Sequence, residues 1–129
     1  MIVVDASIII EVLIGSAVGR QAADRLFARG ESLHAPHLLD VEVTQVLRRY
    51  ASTGELKPGR AREAVQDLVD LPITRYPHAE LLPRVWELRH NLTAYDAAYL
   101  ALAEALDAQL VTRDSGIAGF RGRTRVDLI

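Results

Sequence analysis

Four acidic side chains are the strongest candidates for chemistry in this sequence. The chain opens MIVVDASIII, a run of core-forming residues broken by Asp5. Burying a lone ionised carboxylate is costly, so Asp5 either begins an exposed turn or has partners elsewhere in the chain. Candidate partners are Glu42 in LLDVEVTQVLRR, Asp96 in LTAYDAAYLALAEAL and Asp114 in LVTRDSGIA. Carboxylates that share a site repel one another and resist ionisation unless cations are present. The chain lacks cysteine, and among His34, His37, His78 and His90 only the first two are closely spaced. All four histidines read as surface or boundary residues. Hard oxygen donors without thiolates or clustered imidazoles suit Mg²⁺ or Mn²⁺. Such an ion would explain why an aspartate is tolerated at the end of a core strand.

Each acid also has a structural reading. Thr93 and Asp96 form the pattern T-x-x-D, a capping box that stabilises a helix start by about 1 kcal/mol. On a helical wheel centred on Glu42, Val46, Leu39, Tyr50, Val43 and Leu47 fall between about +40° and +140°, with Leu38 at about −40°. Glu42 therefore sits at the margin of an apolar stripe, where it could equally be a boundary residue or pair with Arg48 or Arg49. Asp40 points to the opposite face and reads as solvated.

The elements that must position these acids follow from apolar periodicity and Gly/Pro punctuation. Residues 2–4 (IVV) read as a buried strand, followed by a helix over about 7–14 with Ser7 as its cap. A second helix fits 17–29, and SLHA (32–35) fits a strand. Pro36 opens a helix, PHLLDVEVTQVLRRYAS, that stops before Gly54. Further helices fit 58–70 and 79–90, with a strand at PITRY (72–76). TAYDAAYLALAEALDA (93–108) is apolar on every side from Ala97 to Leu106, the mark of a central helix. QLVT (109–112) and RVDLI (125–129) complete the strands. Short apolar strands alternating with helices predict an α/β fold with a mainly parallel sheet. In such sheets ligands collect beyond the carboxyl ends of the strands. Asp5 directly follows the first strand and Asp114 lies two residues beyond QLVT.

With 129 residues, half of them hydrophobic and a quarter charged, the chain is expected to form one globular domain spanning 1–129. Its net charge of −2 gives no global electrostatic case for a nucleic-acid partner. Every basic residue except Lys57 is arginine, however, whose planar fork suits phosphate. Codon usage is the alternative explanation. No apolar stretch approaches the ~20 residues of a membrane span, and no basic leader precedes the first strand. A soluble, cytoplasmic protein without a membrane partner is expected.

The segments VVDASIII (3–10), LLDVEVTQVLRR (38–49), LTAYDAAYLALAEAL (92–106) and LVTRDSGIA (110–118) carry a family likeness in their order and spacing. Along its whole length the sequence resembles the PIN-domain ribonucleases, and most closely the VapC toxins of bacterial toxin–antitoxin pairs. The resemblance implies a PIN-like three-layer sandwich with helices on both faces of the sheet. It implies that Asp5, Glu42, Asp96 and Asp114 gather at one sheet end and bind Mg²⁺ or Mn²⁺ to hydrolyse RNA phosphodiester bonds. Asp5 and Asp96 are first choices for direct ligands. Glu42 and Asp114 would bind directly or through water, or orient the attacking water. Ser7 and Thr112 match small hydroxyl residues that flank the first and last acids. A homodimer and a VapB-type antitoxin, with its tail in the active-site groove, are also implied.

Arg113, Arg121 and Arg123, with Arg125, are candidate phosphate contacts on RNA, the alternative being a solvated loop. Tyr95 and Tyr99 read as packing residues. A haloacid-dehalogenase-like phosphatase would want D-x-D where Ser7 stands, and a receiver domain would want an acidic pair and a late lysine. The stronger rival is a catalytically silent PIN-like module that binds RNA or protein.

Overall fold

The computed structural model describes residues 1–120 and 122–129. Arg121, one of the expected phosphate contacts, lies outside the described residues. Five strands, β1 (Ile2–Val4), β2 (Leu33–Pro36), β3 (Ile73–Tyr76), β4 (Gln109–Thr112) and β5 (Val126–Leu128), form one sheet in the order β3-β2-β1-β4-β5. Every pairing is parallel. The helices are α1 (Ala6–Ile14), α2 (Ala17–Leu26), α3 (Leu38–Thr53), α4 (Pro58–Asp70), α5 (Leu82–Glu87), α6 (Ala94–Leu106) and α7 (Ser115–Ala118).

The chain first moves outward from β1 through β2 to β3, then returns to the other side of β1 at β4. Parallel crossovers keep one hand, so an outward and a returning excursion place their helices on opposite faces of a sheet. The contacts fit that rule. Helices α1, α2, α3 and α4 pack among themselves, while α6 lies against β1, β2 and β4 with α5 at its side. Ile2, Val3 and Val4 are fully buried, as expected for a strand covered on both faces. From Ala97 to Ala103 every residue of α6 is buried, matching its all-round apolar sequence.

Two glycines shape the first crossover. Gly15 ends α1 in the left-handed region at φ 70°, and its N–H closes onto Glu11 and Val12 carbonyls. A Cβ on Gly19 would sit 1.9 Å from the Glu11 carbonyl oxygen, so glycine is what lets α2 cross α1 closely. The two helices turn through 110° there. No single helix among the described residues is long and apolar enough to cross a membrane.

Several boundaries differ from the sequence reading. Pro36 closes β2, paired with Tyr76, rather than opening a helix; α3 starts at Leu38. Helix α2 stops at Leu26, and the expected helix over 79–90 divides into a 3₁₀ turn (Ala79–Leu81) and α5, with Pro83 in the first turn of α5. His34, read as a surface or boundary residue, is buried, its ring nitrogens bonded to Ser32 Oγ at 2.8 Å and Tyr76 Oη at 2.7 Å.

Candidate active site

The strand order reverses direction between β1 and β4, and such a switch point is where α/β sheets bind ligands. Asp5 leaves β1 there and is only 4% exposed. It is the cap of α1, in place of the expected Ser7: its Oδ1 accepts the Ile8 N–H at 3.3 Å. Ser7 lies one step inside the helix, and its hydroxyl donates to Asp5 Oδ1 at 2.6 Å. Thr112, at the end of β4, donates to Asp5 Oδ2 at 2.5 Å. Both hydroxyls accept in turn from the following segment, Ser7 Oγ from the Arg113 N–H at 3.0 Å and Thr112 Oγ1 from the Asp114 N–H at 2.8 Å. The two hydroxyls thus fasten the β1 end to the β4 end around one carboxylate.

Asp114 caps α7, its Oδ1 accepting from the Gly116 N–H at 2.7 Å and the Ile117 N–H at 3.3 Å. Asp96 occupies the first turn of α6, where its N–H donates to Thr93 Oγ1 at 3.2 Å. Thr93 thus caps α6 as the sequence suggests, while the Asp96 carboxyl feels the charge of Asp114. Glu42 reaches in from α3 and accepts the Tyr99 hydroxyl on Oε1 at 2.6 Å. The alternative pairing with Arg48 or Arg49 does not form; Arg49 lies over the Tyr50 ring instead.

Electrostatics tie these acids together. Burial pushes the Asp5 carboxyl up to about 6, against the pull of Ser7, Thr112 and the Ile8 N–H, with the Asp114 charge raising it further. Burial likewise raises Asp96, helped by Asp114, and raises Glu42, helped by Asp96. Tyr99 is driven well above its ordinary range by burial and its bond to Glu42, so it stays a protonated donor. Every buried side-chain nitrogen and oxygen among the described residues has a hydrogen-bond partner. What the cluster lacks is positive charge: no Lys or Arg among the described residues pairs with any of the four acids.

A donor set of carboxylates and hydroxyls, without a cationic partner among the described residues, fits a hard divalent cation. No group of three or more His, Asp or Glu side chains among the described residues is arranged to hold a metal ion. Mg²⁺ does not need one, because it keeps several waters and is commonly held by one or two carboxylates.

Beside the acids an open groove of about 650 Å³ runs between α1 and α3. Ile10, Leu38 and Val46 line it with apolar surface, while Arg49, Tyr95 and Arg113 add polar groups. Tyr95 is 61% exposed, so it is a groove residue rather than the packing residue expected. Arg113 is held by Glu11, its guanidinium 3.0 Å from Oε1, and the Ser16 hydroxyl donates to the other oxygen. Arg123, expected near the acids, lies instead beside Glu104, two turns along α6 from Asp96 and about 12 Å away by helical rise. Arg125 pairs with Asp127 at 2.9 Å. Of the expected arginines in the described residues, Arg113 alone borders the groove beside the acids.

Comparisons with known proteins agree with this architecture. Residues 2–122 match the PIN domain family. The chain is 46% identical to ribonuclease VapC9 of Mycobacterium tuberculosis over 114 residues, covering 88% of this chain and 86% of that protein. It is 44% identical to ribonuclease VapC1 of the same organism over 125 residues, covering 93% and 90% respectively. Among solved structures, a toxin–antitoxin complex from Klebsiella pneumoniae superposes with a TM-score of 0.70 at 22% identity, over 98% of this chain and 96% of that one. A family match along nearly the whole chain, together with identities above 40% to two VapC ribonucleases, establishes that the chain belongs to the PIN-domain family and to its VapC group.

Proposed function

We propose that the chain is the toxin of a type II toxin–antitoxin pair, an endoribonuclease that hydrolyses RNA phosphodiester bonds with Mg²⁺ or Mn²⁺. The observation that carries this reading is the chain of charge coupling among carboxylates from four separate elements, Asp5 with Asp114, Asp114 with Asp96 and Asp96 with Glu42, with no cationic partner among the described residues. Asp5 and Asp96 would hold the ion, with Glu42 and Asp114 reaching it directly or through water. Bound there, the ion supplies charge that acidifies an attacking water and offsets negative charge building on the phosphate.

The chain's own groups do the positioning. Ser7 and Thr112 fix both oxygens of Asp5 with neutral donors, so its charge remains available to a cation. Asp114 spends one oxygen on the α7 N–H groups and keeps the other free. Glu42, with Oε1 occupied by Tyr99, has Oε2 to orient a water. Arg113, steered by Glu11, supports a contact to the RNA backbone, and such a contact weakens with salt.

The relatives are named ribonucleases, and the Klebsiella neighbour is a toxin–antitoxin complex, which supports a VapB-type antitoxin as partner. Its tail would lie in the apolar groove between α1 and α3. We further assign the toxin a cytoplasmic location and a homodimeric state, both from family membership.

Cleavage of a mixed RNA pool with Mg²⁺, with Mn²⁺ and with EDTA tests the reading, with wild type and Asp5→Asn side by side. Discrete fragments that disappear with EDTA and in the variant support it. Mn²⁺ binding without cleavage would favour a silent binding module, and absence of both would overturn the assignment.

A further inference from the structure

Tyr99 is 1% exposed, and its neighbours on α6 (Ala97, Ala98, Leu100, Ala101, Leu102 and Ala103) are all buried and apolar. Packing alone would be met by phenylalanine. A buried hydroxyl is unfavourable unless it finds a partner, and this one finds Glu42 Oε1, on another helix, at 2.6 Å. Glu42 makes no other side-chain hydrogen bond among the described residues. The arrangement parallels Asp5, whose oxygens are held by the hydroxyls of Ser7 and Thr112. Carboxylates that bind metals are typically fixed by such outer hydrogen bonds, and losing one costs about 10- to 100-fold in affinity or activity. A neutral donor suits this role better than a cation, because an arginine or lysine there would compete with the ion.

We propose that Tyr99 is a positioning residue: its hydroxyl fixes Oε1 of Glu42 and thereby commits Oε2 to the divalent cation and its waters. The inference rests on the endonuclease reading and adds Tyr99 to the side chains that position its acids. Tyr99 acts through Glu42 and touches neither RNA nor ion.

The test compares wild type, Tyr99→Phe, Glu42→Gln and the double variant. Mn²⁺ affinity is read from the EPR signal of free Mn²⁺, alongside kcat and KM for RNA and the melting temperature. Tyr99→Phe is expected to weaken Mn²⁺ binding about tenfold and to lower kcat, with KM for RNA unchanged. In the Glu42→Gln background the same substitution is expected to leave Mn²⁺ affinity unaltered. Wild-type affinity and kcat in Tyr99→Phe, with at most a lower melting temperature, would overturn the inference. So would an undiminished tenfold loss in the Glu42→Gln background. If Tyr99→Phe does not fold, Glu42→Gln alone decides: unchanged Mn²⁺ affinity overturns the inference and weakened affinity supports it. Wild-type protein that binds no Mn²⁺ would overturn the endonuclease reading and this inference together. Cleavage by wild type with an unaffected Tyr99→Phe would sink only the latter.

Discussion

Helix α6 carries a shielded acid near each end, and the protein treats the two in opposite ways. At the far end Glu104, with 7% of its side chain exposed, is gripped by Arg84 through two hydrogen bonds at 2.7 Å and 3.1 Å. Burial alone would raise that carboxyl, but the Arg84 bonds and charge, joined by Arg123, hold it below the usual carboxylate range. At the near end Asp96 has Asp114 rather than arginine for a charged neighbour, and burial leaves it above that range. Glu42 and Asp5 share its situation. The Glu104 end is what an acid looks like when it serves the fold. The other end holds acids raised by burial and by one another, without a cationic partner among the described residues, an arrangement that costs stability and that the proposed divalent cation would offset.

Breaking the near end should have the largest effect, and it should fall on activity. Asp5→Asn or Asp96→Asn is expected to reduce the initial rate of RNA cleavage by at least about 100-fold, since the ion's share of transition-state stabilisation is several kcal/mol. Circular dichroism should show the fold retained.

Breaking the far end should do the reverse. Arg84→Ala strands Glu104 with little solvent, and removing one partner of a buried pair costs about 3–5 kcal/mol, reduced to about 2 kcal/mol here because Arg84 is itself partly exposed. The urea midpoint should fall while the rate per folded molecule stays close to wild type.

The pH dependence of stability sharpens the contrast. The Asp5 carboxyl titrates near 3.8 when unfolded and at about 6 when folded, so its ionised form is the disfavoured one in the fold. The penalty is absent below pH 3.8, grows between 3.8 and about 6, and is complete above that. By linkage it is at most about 3 kcal/mol, since each pKa unit is worth about 1.4 kcal/mol. In EDTA at neutral pH, Asp5→Asn should therefore be more stable than wild type by about 1–2 kcal/mol, some of the gain being lost to poorer hydrogen bonding. Urea midpoints of the two proteins should converge as the pH is lowered towards 4. A reversed order at neutral pH would contradict the charge argument.

The smallest effect belongs to Arg113. Arg113→Ala should raise KM for RNA by about 3- to 10-fold and lower the slope of log affinity against log salt by about 1, with kcat little changed.

Much of this contrast can be read from residue order alone. Asp5 and Asp114 follow buried strands, and the parallel sheet brings the ends of β1 and β4 together. The wheel position of Glu42 at the edge of an apolar stripe anticipates its half-buried state. Other features depend on tertiary partners that periodicity does not encode. Ser7 has the residue type of a cap, but Asp5 is one residue nearer the strand end and its carboxylate takes the N–H of Ile8. Tyr99 counts as apolar in any hydrophobic pattern, which hides the one atom that reaches Glu42. Helix α7 is a single turn, too short for a periodic signal, and Asp114 caps it. Arg123 follows Asp114 closely in sequence, yet the crossover from β4 to β5 carries it back to the far end of α6. Pro36 resembles a helix start, but it closes β2 beyond the last β1 pair, Val3 with His34, and the bond to the Tyr76 carbonyl is made by the next N–H, that of His37.

The central claim is that the acids are gathered to hold a cation rather than to hold the fold. It is tested most directly by melting wild type and Asp5→Asn with increasing Mn²⁺, starting from EDTA-treated protein. Binding to the folded state alone raises stability as the logarithm of ligand concentration over its dissociation constant, about 2.7 kcal/mol at a hundredfold excess. The account predicts that wild type starts less stable and climbs steadily with Mn²⁺, while Asp5→Asn starts more stable and climbs far less. Equal curves for the two proteins, or a wild type indifferent to Mn²⁺, would contradict it.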